Sequence, residues 1–173
     1  MSLTKLAFGG GCHWCTEAVF DHLTGVERVE QGWISSLGPD AAFSEAVIVH
    51  FNAEEIGIAA LVGVHLHTHS ATNAHQLRGR YRSAVYTFSE TQIEVCRRAL
   101  KVWQQDFDRP LLTRVLPFVA FRESLPEHLD YYRNDPERPF CRRYIRPKLK
   151  LVEERFADLL KSGKGNNLAV HHM

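Results

Sequence analysis

The stretch FGGGCHWCTEAVF, residues 8–20, joins an apolar run to a helical pattern through three consecutive glycines. Upstream, LTKLAF (residues 3–8) reads as a short buried strand. Gly9, Gly10 and Gly11 make a turn at which backbone can approach a ligand closely. From Cys12 the period changes: Ala18, Val19, His22 and Leu23 fall on one helical face, and Gly25 ends the element. Cys12 therefore stands where the first strand hands over to the first helix.

Outward from this point, VERVEQGWI (26–34) and SEAVIVHF (44–51) are strand patterns separated by the turn-like SSLGPDAAF. Residues 54–65 are expected to be helical, although their apolar pattern is weak. HLHTHSATNAHQLRGR (65–80) has no clear period and reads as a long loop, a type of segment that is often functional. YRSAVYTF (81–88) is a further strand. Ser89 and Gln92 form a capping box ahead of a helix marked by Ile93, Cys96, Leu100, Trp103 and Phe107. LLTRVLPFVAF (111–121) gives one more strand, broken by Pro117. After a proline-punctuated segment, Leu149, Val152, Phe156 and Leu159 mark a final amphipathic helix. The order β-α-β-β-α-β-α-β predicts an α+β fold: one domain over residues 1–161, with a mixed or antiparallel sheet and helices mainly on one face. Residues 162–173 are expected to be a flexible tail.

A chain of 173 residues can bury a full core, and a formal net charge of +1 points to neither nucleic acid nor membrane. No apolar run is long enough to span a bilayer. The start carries no secretory pattern, so the expected compartment is the cytoplasm and the expected state a monomer. Four cysteines in a chain of this length are not a disulfide scaffold.

A cysteine at a helix N-terminus sits beside free backbone N–H groups and the positive end of the dipole. Both favour the thiolate, which is the nucleophilic form. The Cys12-x-x-Cys15 spacing supports three chemistries: a redox dithiol, a single activated thiol, or half of a metal site. No second CxxC pair exists to complete a structural zinc site, and no bound metal is expected. His65, His67 and His69 would point one way only in an extended segment, where His75 could join them. A metal-binding Cys/His module and a dithiol oxidoreductase acting on protein disulfides stay open as competing readings.

The motif FGGGCHWCTEAVF resembles the GGCFWCxE signature of the peptide-methionine (S)-sulfoxide reductases, the methionine sulfoxide reductase A family. FSEAVIVHFN, YRSAVYTFSETQ and FRESLPEHLDYYRNDPERPFCRRYIRPKL are similar to further segments of that family in the same order, so the resemblance spans most of residues 5–149. It implies a ferredoxin-like α/β sandwich and a thiol-dependent reduction of methionine sulfoxide, free or in peptides. No bound cofactor is implied. Thioredoxin, or dithiothreitol in the test tube, would be the reductant. Cys12 would attack the sulfoxide sulfur and become a sulfenic acid. Glu45 would protonate the oxygen, because a carboxyl in an apolar pocket can carry a proton at neutral pH. Cys141 would resolve the sulfenic acid from a mobile segment, its thiolate favoured by Arg142 and Arg143. Cys15 is kept as a direct resolver or relay. Trp14 would wall the methyl pocket, Tyr81 would hydrogen-bond the oxygen, Glu17 would be a first-turn helix charge, and Cys96 inert core.

The departures from the family pattern surround the pocket. His13 stands in place of the usual phenylalanine, and Trp33 in place of a tyrosine. Gln76 replaces an aspartate and Arg80 a glutamine. His128 is kept, but Leu129 replaces the glutamine after it. The implied substrate-binding set is therefore His13, Trp14, Trp33, Gln76, Tyr81 and His128. Arg78, Arg80 and Arg82 are expected to make a basic rim.

Overall fold

The protein is described here by a computed structural model covering residues 3–74 and 76–161, with Gln76 and Leu77 followed through their backbone alone. His75 and the expected tail, residues 162–173, lie outside the described residues, as does the side chain of Gln76.

The first half of the chain folds as β1 (Leu3–Gly9), α1 (His13–Asp21), β2 (Val26–Ser35), β3 (Ser44–Asn52), α2 (Ile58–His67) and β4 (Ala84–Thr87). These strands lie in the order β4-β1-β3-β2, every pair antiparallel, the ferredoxin-like split arrangement. Leu6, Ala7 and Phe8 of the central strand β1 are fully buried, as its unbroken apolar run requires. The expected face of α1 is the buried one: Ala18, Val19, His22 and Leu23 all point inward.

After α3 (Glu90–Trp103), β5 (Arg114–Pro117) adds parallel to β4 and β6 (Ala120–Glu123) adds antiparallel to β2. The sheet is thus mixed, with its order β5-β4-β1-β3-β2-β6. Its two edges are consecutive halves of one segment. Phe118 and Val119 alone separate them, and their N–H groups donate to Thr87 O (2.9 Å) and Ser35 O (3.1 Å). Six flat strands would set the edges ~24 Å apart. Two linking residues reach only about a third of that. The sheet must curl until its edges converge, and Pro117, the expected break, stands at the bend.

Curling gives the sheet two different faces. The outer face meets α1, α2, α3 and, beyond the short α4 (Tyr131–Asn134), α5 (Arg146–Arg155) in one cluster that includes Phe8, Phe20, Phe51, Leu61, Leu149 and Val152. The inner face holds a smaller cluster around Tyr86, where Ala7, Ala46 and Ala84 leave room for its ring. Ser89 Oγ caps α3 by accepting from Gln92 N. The reciprocal bond of the expected capping box is shifted by one residue, since Gln92 Oε1 accepts from Phe88 N at 2.8 Å.

The expected boundary between helix and loop near residue 65 is displaced. Residues 54–56 are turn and bend, Gly57 is the N-cap, and α2 runs from Ile58 through His67. Leu61, Val62, Gly63, Val64, His65 and Leu66 are all buried in succession, so this helix has no polar face to impose a period. His65 and His69 are consequently one helical turn apart and stack at 4.1 Å, while His67 turns away to Asp106 at 3.1 Å. The three histidines do not point one way.

Candidate active site

The site begins at Gly10. Its φ of +146° is a backbone conformation that L side chains rarely adopt, and a Cβ there would lie 2.5 Å from the His69 ring. This turn lifts the chain out of β1 and leaves Cys12 at the N-cap of α1 with extended backbone. Cys12 is partly exposed; Cys15, Cys96 and Cys141 are buried. The Cys12 thiol is more acidic than usual, first because the Cys15 side chain donates a hydrogen bond to its sulfur. The backbone N–H groups of Trp14 and Cys15 add to this, while burial and the Glu45 charge oppose it. Cys15 holds its own proton more tightly than usual, chiefly because it donates to Cys12 and is buried. The pair is asymmetric: one thiolate-prone sulfur and one protonated donor, one helical turn apart.

Glu45 lies on β3 directly opposite Trp33 of β2 and is 2% exposed. Burial matches the expectation for a proton donor, but the surroundings are not apolar. Glu45 Oε1 accepts from the His13 N–H at 3.1 Å and Oε2 from Arg80 Nε at 2.7 Å. His13 is itself buried at the first position of α1, with Nδ1 at 2.8 Å from Gly32 O and Nε2 at 3.5 Å from Glu45 Oε1. Its ring meets Trp33 edge-on at 5.0 Å. Burial makes the His13 imidazolium less favourable than usual; Gly32 O and Glu45 counter this, and Arg80 and His128 add to it. Two of the departures from the family pattern, His13 and Arg80, thus both contact Glu45.

A cleft of about 570 Å³ opens on the thiol side, lined by Gly10, Cys12, Cys15, Tyr81, Phe140 and Tyr144 among others. Tyr81 is half-buried on its wall, and burial raises the pKa of its hydroxyl. Trp14 is not among the lining residues. One indole face is covered by Tyr131, stacked at 4.0 Å and 5°, and Phe140 packs edge-on at 5.3 Å. His128 lies 5.7 Å from the same indole. The aromatic wall of the cleft is therefore Tyr81, Phe140 and Tyr144. The last two stand near Cys141 and are not among the site residues that the sequence predicts.

Glu17 is more than a helix charge. It is buried, and its carboxylate accepts from Gln31 Nε2 (2.8 Å), Asp130 N (3.0 Å) and Tyr131 N (3.3 Å). Burial is the main reason its pKa is raised. Through these bonds it ties the segment that carries Tyr131 to α1, which sets Tyr131 against Trp14. A buried acid in the first turns of a helix with no basic neighbour in the sequence is the signal that could have identified this role.

Cys141 does not lie in an irregular segment. It opens one turn of π-helix (Cys141–Ile145) that leads into α5, and it is fully buried. Arg142 and Arg143 point outward and are exposed. Burial dominates and raises the Cys141 pKa; the opposing cations are Arg138 and Arg146. Cys15 senses the charges of both Cys12 and Cys141. Cys96 is buried in the core with its thiol pushed up to about 12.

The expected basic rim reduces to one residue. Arg78 donates to the carbonyls of Gly10 (2.8 Å) and Tyr81 (2.9 Å) and to those of Asn73 and Ser70. Arg82 is buried against Tyr86 Oη and the carbonyls of Ala42 and Ile34. These two guanidinium groups fasten the loop that precedes β4. Arg80, with 67% of its side chain exposed, alone faces solvent. Among the described residues no group of three or more His, Cys, Asp or Glu side chains is placed to hold a metal ion. No helix among them is long and apolar enough to cross a membrane.

Residues 4–160 match the model of the peptide methionine sulfoxide reductase family. The peptide methionine sulfoxide reductase MsrA of Chromobacterium violaceum is 32% identical over 92% of this chain and 100% of its own length. That of Deinococcus radiodurans is 31% identical over 89% and 82%. Among solved structures, reduced Mxr1 of Saccharomyces cerevisiae superposes with a TM-score of 0.68 at 19% identity, covering 79% of this chain and 87% of that one. Methionine sulfoxide reductase A of Corynebacterium diphtheriae gives 0.67 at 18% identity, covering 78% and 76%. The chain belongs to the peptide methionine sulfoxide reductase family.

Proposed function

We propose that the protein reduces the S epimer of methionine sulfoxide, free or in peptides, to methionine. The observation that carries this reading is a thiolate-prone Cys12 at the mouth of an aromatic cleft, within electrostatic reach of the buried Glu45. The Cys12 thiolate attacks the sulfoxide sulfur, and Glu45 delivers a proton to the departing oxygen. A Cys12–methionine sulfur–sulfur bond forms as the sulfur–oxygen bond breaks; the hydroxide so released attacks the Cys12 sulfur and cleaves that sulfur–sulfur bond. Methionine leaves with its sulfur reduced by two electrons, and Cys12 becomes a sulfenic acid, oxidised by two. Tyr81 donates its hydroxyl proton towards the sulfoxide oxygen. Phe140 and Tyr144 give the methyl group its apolar wall.

The sulfenic acid condenses with a second thiol, releasing water and leaving a disulfide. Cys15 already donates to the Cys12 sulfur, which supports it as the first partner. Cys141, in electrostatic contact with Cys15, would take the bond onward by thiol–disulfide exchange. Recycling falls to an external dithiol. Mxr1 of Saccharomyces cerevisiae has been solved in complex with Trx2, a precedent for thioredoxin in that role, with dithiothreitol as its laboratory substitute. The remaining terms of the proposal are a monomer, a cytoplasmic setting and no resident cofactor.

The test is the consumption of each methionine sulfoxide epimer with dithiothreitol, for the wild type and Cys12→Ser. The S epimer should be consumed, the R epimer spared, and Cys12→Ser should form no methionine. Absence of turnover by the wild type, or one equivalent of methionine from Cys12→Ser, would overturn the assignment.

A further inference from the structure

We propose that His13 and Glu45 hold one shared proton, and that His13 is the reservoir that keeps this proton available for the sulfoxide oxygen. The inference deepens the function proposed above and rests on it. His13 Nδ1 faces Gly32 O at 2.8 Å. A carbonyl only accepts, so the ring proton of the neutral imidazole sits on Nδ1 and the lone pair on Nε2. That lone pair faces Glu45 Oε1 at 3.5 Å. Oε1 also accepts from the His13 N–H, but two acceptor atoms at that distance in a buried site still repel each other. One proton relieves the repulsion, on either the carboxyl or the imidazole.

Neither group claims that proton outright. Arg80 Nε donates to Glu45 Oε2 at 2.7 Å. Burial disfavours the imidazolium, and Arg80 and His128 oppose it further. The groups that face the pair come from three places: Cys12 beside His13, Arg80 and Tyr81 before β4, and His128 on the turn Pro126–His128. Their net effect is to move the proton between His13 and Glu45 rather than release it. Trp33 holds the ring edge-on, and the His13 N–H fixes Oε1, so the two partners stay in register. When Glu45 protonates the departing oxygen, the proton on the pair is consumed. His13 restores it before the next cycle by passing a solvent proton from Nε2 to Oε1. His13 is a positioning and proton-holding residue; it need not touch the substrate.

Two measurements on the full chain decide the matter. The imidazole of His13 is titrated by nitrogen NMR in the wild type and in Glu45→Gln, with no sulfoxide present. Loss of the carboxylate should lower the proton affinity of His13 roughly tenfold or more, about one pH unit. Superposable titrations would overturn the shared proton. Separately, methionine formed in a single turnover is followed against pH for wild type, His13→Phe and His13→Asn. Without His13 there is no imidazole to return a proton to the pair. The alkaline fall in rate should therefore begin roughly one unit lower in both variants. Two variants of different shape exclude a packing effect, which would scale the rate at every pH alike. Profiles of unchanged shape would overturn the reservoir role. A wild type that forms no methionine at any pH would sink the proposed function and this role together, while the NMR titration would still judge the shared proton.

Discussion

Cys15→Ala isolates the contribution that most favours the Cys12 thiolate. The largest favourable influence on Cys12 is the hydrogen bond from the Cys15 thiol, ahead of the N–H groups of Trp14 and Cys15. Hydrogen bonds to charged groups contribute ~1.5–3 kcal/mol, and a thiol is a weak donor. About 1 kcal/mol is therefore a fair measure, close to a fivefold change in thiolate population. Cys15 is 5% exposed, so solvent does not take over as donor when the sulfur is removed. The assay is the rate of carbamidomethylation at Cys12, read by peptide mass against pH. Below the Cys12 pKa the rate follows the thiolate fraction, and Cys15→Ala should react roughly fivefold more slowly. Above the pKa of both proteins the curves should meet. Cys15→Ser retains an O–H donor at the same place and should recover most of the rate. Identical alkylation of wild type and Cys15→Ala at every pH would refute the hydrogen bond. A serine variant as slow as the alanine variant would assign the effect to packing instead.

Glu45→Gln should lower the rate of methionine formation by roughly 100-fold, the usual scale for losing a positioned acid, with Cys12 alkylation retained. A rate within a fewfold of wild type would move the proton donor elsewhere. Cys141→Ser should still form one methionine per enzyme and leave a Cys12–Cys15 disulfide in the peptide map, but cycle slowly with thioredoxin. Full-speed cycling of this variant would make Cys141 a bystander.

Much of the architecture was legible in the sequence because the deciding elements are amphipathic or wholly apolar over a strand's length. The β1–α1 handover is the clearest case: an apolar run, three glycines and an immediate change of period leave one reading for Cys12. The failures have physical causes. α2 is buried over most of its surface, so its residues show no period, and its last turn with His65 and His67 read as loop. The curl of the sheet depends on where residues 111–121 attach after Pro117, which is a long-range pairing that no local pattern encodes. Arg80 illustrates the same limit at the site. Three arginines at alternate positions look equivalent in sequence, yet two fasten backbone carbonyls and one reaches Glu45. The Glu45 and Tyr81 positions come from the family pattern, whereas Cys12 already stands out at the strand-to-helix handover. The polar setting of Glu45 comes from the residues that depart from that pattern.

Cys141 is where burial constrains the chemistry most. Proline-punctuated sequence suggested a thiol on a free segment, whereas the fold places that thiol in the core beneath Phe140 and the exposed Tyr144. Thiol–disulfide exchange requires the attacking sulfur to approach along the disulfide axis, so access is as important as thiolate character. A small dithiol can enter the cleft that Cys12 and Cys15 line. A protein reductant cannot reach a disulfide involving Cys141 until the π-helical turn Cys141–Ile145 moves outward. That turn has the wider hydrogen-bonding pattern that often marks a functional site in a helix. Oxidation of Cys15 would disturb its packing in the core cluster that also holds Cys141 and Ile145. On this reasoning the disulfide itself loosens the segment, so thioredoxin would meet an exposed disulfide only after a turnover. Hydrogen exchange at Arg142, Arg143 and Tyr144 should therefore be faster in the oxidised protein than in the reduced one. Equal exchange in both states would mean that the turn stays shut and that the external reductant takes its electrons in at Cys12 and Cys15.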